Sequence, residues 1–248
     1  MKPTFTLRSV ETQTDYLIFV EAPAASASPG PWPSVLFLDG DDQFSAAVAA
    51  YRQLRESAAV PPLLLVGIGY GASYAKPANK RGRDYTPTFH TDEPSSGGGE
   101  RFLAFAENSL WPELSRRYAV HATRRGVAGH SLGSLLVLFA LCQQPLFFTD
   151  FLASAPSVWW DHRSILRLLA ERHARDPVTP AHLFLSVGEN DTESMTGDFA
   201  LLQDQLIEKP FRELRVTSRR FTDRDHYTVL PDAFQVGLKT LFGENLST

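Results

Sequence analysis

The chain has 248 residues, 43% of them apolar, 11% aromatic and 21% charged, a balance that fits a globular protein and excludes a disordered or collagen-like polymer. The 24 Lys and Arg against 28 Asp and Glu leave a formal charge of −4. No basic run exceeds a pair such as Arg116-Arg117, Arg124-Arg125 or Arg219-Arg220, so nucleic acid is not an expected partner.

In chain order, short aliphatic or β-branched runs alternate with longer helical patterns, which predicts an α/β fold with a mostly parallel sheet and helices on both faces. Phe5–Val10 and Tyr16–Val20 read as an opening antiparallel hairpin, and a Pro/Ala/Ser loop covers 23–33. Val35–Leu38 is the first buried strand, Asp42 to about Glu56 a helix, and Leu63–Ile68 a second buried strand after the Pro61-Pro62 break. From Gly69 to Gly99 apolar periodicity gives way to Gly, Pro and Ser, ending in Ser95-Ser96-Gly97-Gly98-Gly99. A loop of that length within an α/β chain is expected to be functional or mobile. Glu100–Tyr118 reads as a helix that Pro112 kinks or restarts. A strand at Gly126–Ala128, an apolar helix at Leu132–Cys142, a strand at Phe151–Ala153 and a helix at Ser164–His173 follow. The chain closes with a strand at Leu183–Val187, a helix at Thr196–Ile207, a strand at Leu214–Phe221 and a helix at Pro231–Phe242. The expectation is one domain over residues 1–248, with 69–99 as an excursion from it.

Cys142 is the only cysteine, which rules out an intramolecular disulfide and a thiolate zinc cluster. His90-Thr91-Asp92-Glu93 lacks the spacing of a metal site, so neither metal nor cofactor is expected. The sequence after Met1 has no signal-peptide core, and no uncharged apolar stretch approaches about 18 residues. A cytoplasmic protein without a membrane partner is therefore expected, and nothing in the sequence fixes an oligomeric state.

Gly129-His130-Ser131-Leu132-Gly133 matches G-x-S-x-G between a predicted strand and a predicted helix. That context gives the pattern its weight. A sharp strand-to-helix turn strains the serine backbone and needs small residues two before and two after it. It also lifts the hydroxyl above the sheet and aims unpaired helix N–H groups at developing negative charge. A serine needs a histidine base, and the base needs an orienting carboxylate, in the chain order Ser, acid, His. His90, His121 and His130 precede Ser131, while His162, His173 and His182 sit at helices or at the wrong end of a strand. His226, just after the last predicted strand, is the expected base. Gly188-Glu189-Asn190-Asp191-Thr192-Glu193 follows the Leu183–Val187 strand and offers three carboxylates. Asp191 is favoured because a Gly-x-x-Asp turn directs a short, stiff side chain toward the neighbouring strand end; Glu189 and Glu193 remain alternatives. The oxyanion donors are expected to be the backbone N–H groups of Leu132 and of Asp41, with Gly40 second, in the turn after Val35–Leu38. Asp42 is a natural N-cap for the helix that follows.

At these residues the chain resembles the putative-esterase branch of the α/β-hydrolases, the group of esterase D and the enterobactin-type siderophore esterases. The resemblance runs from about Tyr16 to Phe242. It is carried by Leu36-Phe37-Leu38-Asp39-Gly40, Arg83-Asp84-Tyr85-Thr86-Pro87, Gly129-His130-Ser131-Leu132-Gly133, Ser154-Ala155-Pro156-Ser157-Val158-Trp159-Trp160 and His226-Tyr227-Thr228-Val229-Leu230-Pro231. It implies a serine esterase that takes small-molecule esters, siderophore-type or aromatic esters among them, with Arg83, Tyr85, Trp159 and Trp160 near the acyl or alcohol pocket. It also implies that the third triad member varies, since some siderophore esterases have weak or missing acids. Independently, an arginine in a long loop can bind a carboxylate or catecholate, and paired tryptophans can stack on an aromatic group. Two other readings share the same residues: an acyltransferase in which an alcohol replaces water, and a catalytically silent ligand-binding homologue.

Overall fold

The computed structural model describes residues 1–24 and 29–243, so residues 25–28 of the expected 23–33 loop lie outside the described residues. Its strands are β1 (Phe5–Arg8), β2 (Asp15–Glu21), β3 (Trp32–Phe37), β4 (Leu64–Gly69), β5 (Val120–His130), β6 (Asp150–Ser154), β7 (Val178–Gly188) and β8 (Arg212–Phe221). They form one eight-stranded sheet in the order β1-β2-β4-β3-β5-β6-β7-β8. β1 and β2 form the antiparallel hairpin, β2 pairs antiparallel with β4, and every pair from β4 to β8 is parallel.

The buried strands carry apolar residues on both faces, as a sheet covered on both sides requires. Val35 and Phe37 of β3 meet α1 (Gly40–Glu56) and α8 (Leu230–Phe242) in a core with Phe44, Leu54, Phe234 and Leu238. Leu36 of β3 joins the opposite core, which contains Phe102, Leu135, Ile165 and Phe199. Those residues belong to α3 (Gly99–Phe105), α5 (Leu132–Leu141), α6 (Trp160–Arg175) and α7 (Glu193–Glu208). Between α3 and α4 (Trp111–Arg117), residues Ala106–Leu110 form a π-helical segment. The expected helix over 100–118 is thus three segments, and Pro112 lies in the first turn of the last, where its missing N–H costs no helical bond.

Two boundaries moved for identifiable reasons. β5 begins at Val120, well before the expected Gly126, because its charged first half pairs with β3 beyond the buried core. The α6 segment opens with Asp161, His162 and Arg163 at φ 43, 53 and 62. Its right-handed turns therefore start at Ser164, where the periodicity begins. Three successive left-handed residues are strained. They are held by Arg163 Nε, 2.7 Å from buried Asp198, and by Trp160 Nε1, 3.2 Å from Thr88 Oγ1.

The long connection after β4 is tied down rather than draped. It contains α2 (Arg81–Asp84), and Asp84 is fully buried. Its Oδ2 accepts from the hydroxyls of Tyr16 at 2.7 Å and Tyr70 at 3.0 Å, and Arg83 Nε donates to Oδ1 at 2.7 Å. At the glycine-rich end, Gly97 N–H donates to Thr86 Oγ1 and Gly99 N–H to the Thr86 carbonyl, closing the excursion onto itself. No helix among the described residues is long and apolar enough to cross a membrane.

Removing Asp84 takes the carboxylate from beside Arg83 and the acceptor from the Tyr70 hydroxyl, and leaves Tyr16 and Arg83 with the weaker neutral acceptors Thr12 and Thr14. Asp84→Ala is expected to lower unfolding stability by about 3 kcal/mol, read from urea melts, and to loosen the 70–98 connection to protease first. A loss under about 0.5 kcal/mol would remove this cluster as the anchor of the loop.

Candidate active site

All parallel strands end at one edge of the sheet, and the residues that follow β5, β6, β7 and β8 converge there, as ligand sites in open α/β sheets do. Ser131 stands between β5 and α5 with φ 57 and ψ −119, a conformation that L-residues rarely adopt. A Cβ on Gly129 would lie 2.5 Å from the Gly133 carbonyl carbon, so the glycine two before the serine is a steric requirement. Ser131 N–H donates to the Ser154 carbonyl at 2.9 Å, and Ser134 Oγ bonds the Gly129 and Ser154 carbonyls, each at 2.7 Å. These bonds lock the elbow to the end of β6.

The turn after β7 carries Asp191, whose carboxylate is fully buried. Its Oδ2 lies 2.8 Å from His226 Nδ1, and its Oδ1 accepts the Thr192 N–H at 2.7 Å. Thr192 in turn caps α7 by accepting from Met195 N–H. Glu189 and Glu193, the alternative acids, are exposed. Backbone bonds from Glu189 N–H to the Phe221 carbonyl and from Asn190 N–H to the Arg224 carbonyl join the turn to the segment after β8. Asp225 Oδ1 accepts from the N–H and hydroxyl of Thr228 and from the N–H of Tyr227, which folds that segment around His226 and holds the Asp225 carboxyl below its usual range.

Ser131 and His226 line one pocket of about 150 Å³, together with Gln43, Tyr74, Arg81, His130 and Tyr227. His130, which chain order excluded as the base, lies with its ring centroid 4.7 Å from that of His226. Its Nδ1 is 3.1 Å from Ser154 Oγ. Burial, then the neighbouring His226 and Arg81, pushes its pKa down to about 3, so a neutral ring sits against His226.

The three aspartates after β3 are bound to other groups and are not among the residues that line this pocket. Asp39, at φ 54 and ψ 44, directs its buried carboxylate to Arg81, whose Nε and Nη2 reach the two oxygens at 2.8 and 3.0 Å. Burial raises the Asp39 pKa against the pull of Arg81. Asp41 accepts from the N–H groups of Tyr70 and Gly71, and Asp42 from Tyr74 N–H. The expected N-cap at Asp42 is corrected: α1 begins at Gly40, Asp39 is its cap residue, and no side chain caps it because the Asp39 carboxylate is bound to Arg81. The backbone of Asp41 lies in the first turn of α1 and Leu132 is the first residue of α5, so both belong to helix ends whose N–H groups have no helical acceptor.

The expected substrate contacts separate. Arg83 is held by Asp84 and Thr14 and lines a neighbouring cavity with Leu132, whereas Arg81 lines the Ser131 pocket, with its guanidinium 5.0 Å from the Tyr74 ring centroid. Tyr85 is completely buried, and its hydroxyl accepts Asp39 N–H at 3.1 Å, so it supports the turn beneath the pocket instead of facing a ligand. Trp160 is buried against Thr88, whereas Trp159 is half exposed. Sequence reasoning passed over Arg81, Gln43, Tyr74 and His130; only His130, as the second residue of the elbow pattern, carried a signal that could have flagged it. It also passed over Ser157, whose Oγ lies 3.4 Å from Ser131 Oγ. Among the described residues no group of three or more His, Cys, Asp or Glu is arranged to hold a metal ion.

A family model described as "Putative esterase" matches residues 9–227. Ferri-bacillibactin esterase BesA of Bacillus subtilis is 30% identical over 239 residues, which span 87% of this chain and 81% of that protein. A siderophore enterobactin esterase of Emericella nidulans is 32% identical over 168 residues, 62% of this chain and 54% of that one. The crystal structure of the BES protein from Bacillus cereus superposes with a TM-score of 0.85 at 25% identity, covering 97% of this chain and 94% of that one.

Burial of a neutral His130 has a pH consequence. The unfolded chain protonates this residue below about pH 6.5. The folded chain resists until about pH 3. The unfolded state therefore binds the extra proton in that window, and the stability this neutral group contributes falls as pH drops through it. Unfolding free energies measured from pH 6.5 to 4.5 should fall less steeply in His130→Asn than in the wild type. Equal slopes would mean that His130 is already charged in the folded protein.

Proposed function

The chain belongs to the putative esterase family, and on that premise we propose that it is a serine carboxylic-ester hydrolase working through an acyl-enzyme on Ser131. The observation that carries the reading is the 2.8 Å bond from His226 Nδ1 to the buried Asp191 carboxylate, with Ser131 on the wall of the same pocket. Asp191 accepts a proton-bearing Nδ1, which leaves the bare Nε2 as the proton acceptor. Ser131 Oγ then attacks the ester carbonyl carbon while its proton passes to His226 Nε2. The negative oxygen that forms is met by the N–H of Leu132 at the start of α5 and by that of Asp41 in the first turn of α1. Collapse returns the proton to the departing alcohol, and water repeats the sequence to free the acid.

The buried Asp191 stabilises the imidazolium electrostatically without taking its proton, and the neutral His130 beside it does not compete for that proton. Siderophore-type esters are the proposed substrate class. Support comes from the names of the relatives, from Arg81 at the pocket, and from the exposed rings of Trp159 and Tyr227 near the same sheet edge.

Turnover of a p-nitrophenyl ester tests the roles. Ser131→Ala and His226→Ala should each lower kcat by roughly four orders of magnitude, and the double variant should be no worse than either alone. Asp191→Asn, which removes the charge and favours the wrong tautomer, should cost about two to four orders, while Glu189→Gln and Glu193→Gln stay near wild type. A silent Asp191→Asn would leave a Ser131–His226 dyad, and full turnover in Ser131→Ala would end the serine mechanism.

A further inference from the structure

Ser157 lies in the turn after β6 and is 1% exposed. Two contacts join it to the nucleophile: its N–H donates to the Ser131 carbonyl at 3.2 Å, and its Oγ lies 3.4 Å from Ser131 Oγ. Its hydroxyl has no other hydrogen-bond partner among the described residues. Ala155, two residues earlier, is held at φ 44, so strained backbone stands on both sides of the hydroxyl pair.

Each hydroxyl carries one hydrogen, and a buried O–H needs an acceptor. If the Ser131 hydrogen occupied the bond between them, the nucleophile would direct its proton away from His226 and Ser157 would have nowhere to donate. With the Ser157 hydrogen on the bond, both needs are met. Ser157 donates to its single available acceptor, and the Ser131 hydrogen stays uncommitted in the pocket that His226 also lines.

We infer that Ser157 is a further catalytic residue, a hydrogen-bond donor to Ser131 Oγ that stabilises this oxygen whenever it carries negative charge. The inference rests on the serine-esterase reading. During acylation the Ser131 proton goes to His226 while Ser157 keeps its own proton and shares it across a bond that tightens as charge grows on Oγ. During deacylation the bond between the acyl carbon and Ser131 Oγ breaks, and the same donor meets the departing oxygen before His226 returns its proton. At 3.4 Å the resting bond is long, as catalytic bonds in ligand-free sites often are, so its contribution is concentrated in the transition states.

The test is steady-state hydrolysis of p-nitrophenyl esters by the full chain carrying Ser157→Ala, with Ser131→Ala beside it. The expected result is a roughly ten-fold fall in kcat and in kcat/KM, with KM within two-fold of wild type and an unchanged melting temperature, the pattern of a donor used only in the transition state. Wild-type kcat in Ser157→Ala, with Ser131→Ala inactive, would overturn the inference and leave the esterase reading standing. A loss accompanied by a matching fall in melting temperature would also overturn it, by making Ser157 a packing residue. Undiminished turnover in Ser131→Ala would instead remove the reading beneath it.

Discussion

The site depends on how closely two stretches of main chain can approach at the end of the sheet. A Cβ on Gly188 would lie 2.3 Å from the Arg224 carbonyl oxygen and 2.9 Å from that of Asp225, so only glycine lets the turn after β7 touch the segment after β8. That contact carries the Asn190–Arg224 backbone bond and brings the acid turn under the histidine. The 2.8 Å separation of Asp191 and His226 follows from it. The elbow repeats the device: Gly129 leaves room for the backbone of Gly133, and Ser131 takes the strained conformation that raises its hydroxyl. Strain is local, whereas the sheet pairing and the helix packing that oppose it extend over the whole fold.

Buried charge does the second part of the positioning. Asp39 and Arg81 form a bidentate pair, and Tyr85 holds the Asp39 N–H, so the turn that opens α1 and the arginine at the pocket are fixed by one group of residues. Asp84 and Arg83 form a second group with Tyr16 and Tyr70, joining the hairpin, the end of β4 and the long connection. Removing one member of such a group costs more than the pair adds, because an uncompensated charge stays behind. The buried Asp84 and Tyr85 side chains are therefore scaffold, and the pocket borrows its shape from them.

The elbow was legible because its pattern encodes backbone geometry: small residues flank a residue with positive φ between a strand and a helix. The turn that brings Asp191 to His226 was legible for a similar reason, since Gly188 and Asp191 are spaced for a tight turn. The mostly parallel direction of the strands was legible in their alternation with helices, whereas their order in the sheet was not. The polar wall of the pocket was not legible. Arg81 and Arg83 are two residues apart in a segment without periodicity, and which one faces the pocket is set by Asp39 and Asp84, distant and adjacent in sequence. Tyr85 and Trp160 were expected near the pocket because of the family resemblance, and Trp160 also because paired tryptophans can stack on a ligand; here both are buried, bonded to distant main chain and to Thr88. The π-helical segment and the left-handed start of α6 leave no composition signature at all.

Ser131 is the proposed nucleophile that the surrounding strain and charge present to the pocket. Incubating the protein with a fluorophosphonate and mapping the modified peptide by mass spectrometry tests it most directly. A single phosphonyl adduct on Ser131 is expected, formed in the wild type and absent when His226 is replaced by alanine. No adduct, or an adduct on another residue while Ser131 stays free, would contradict it.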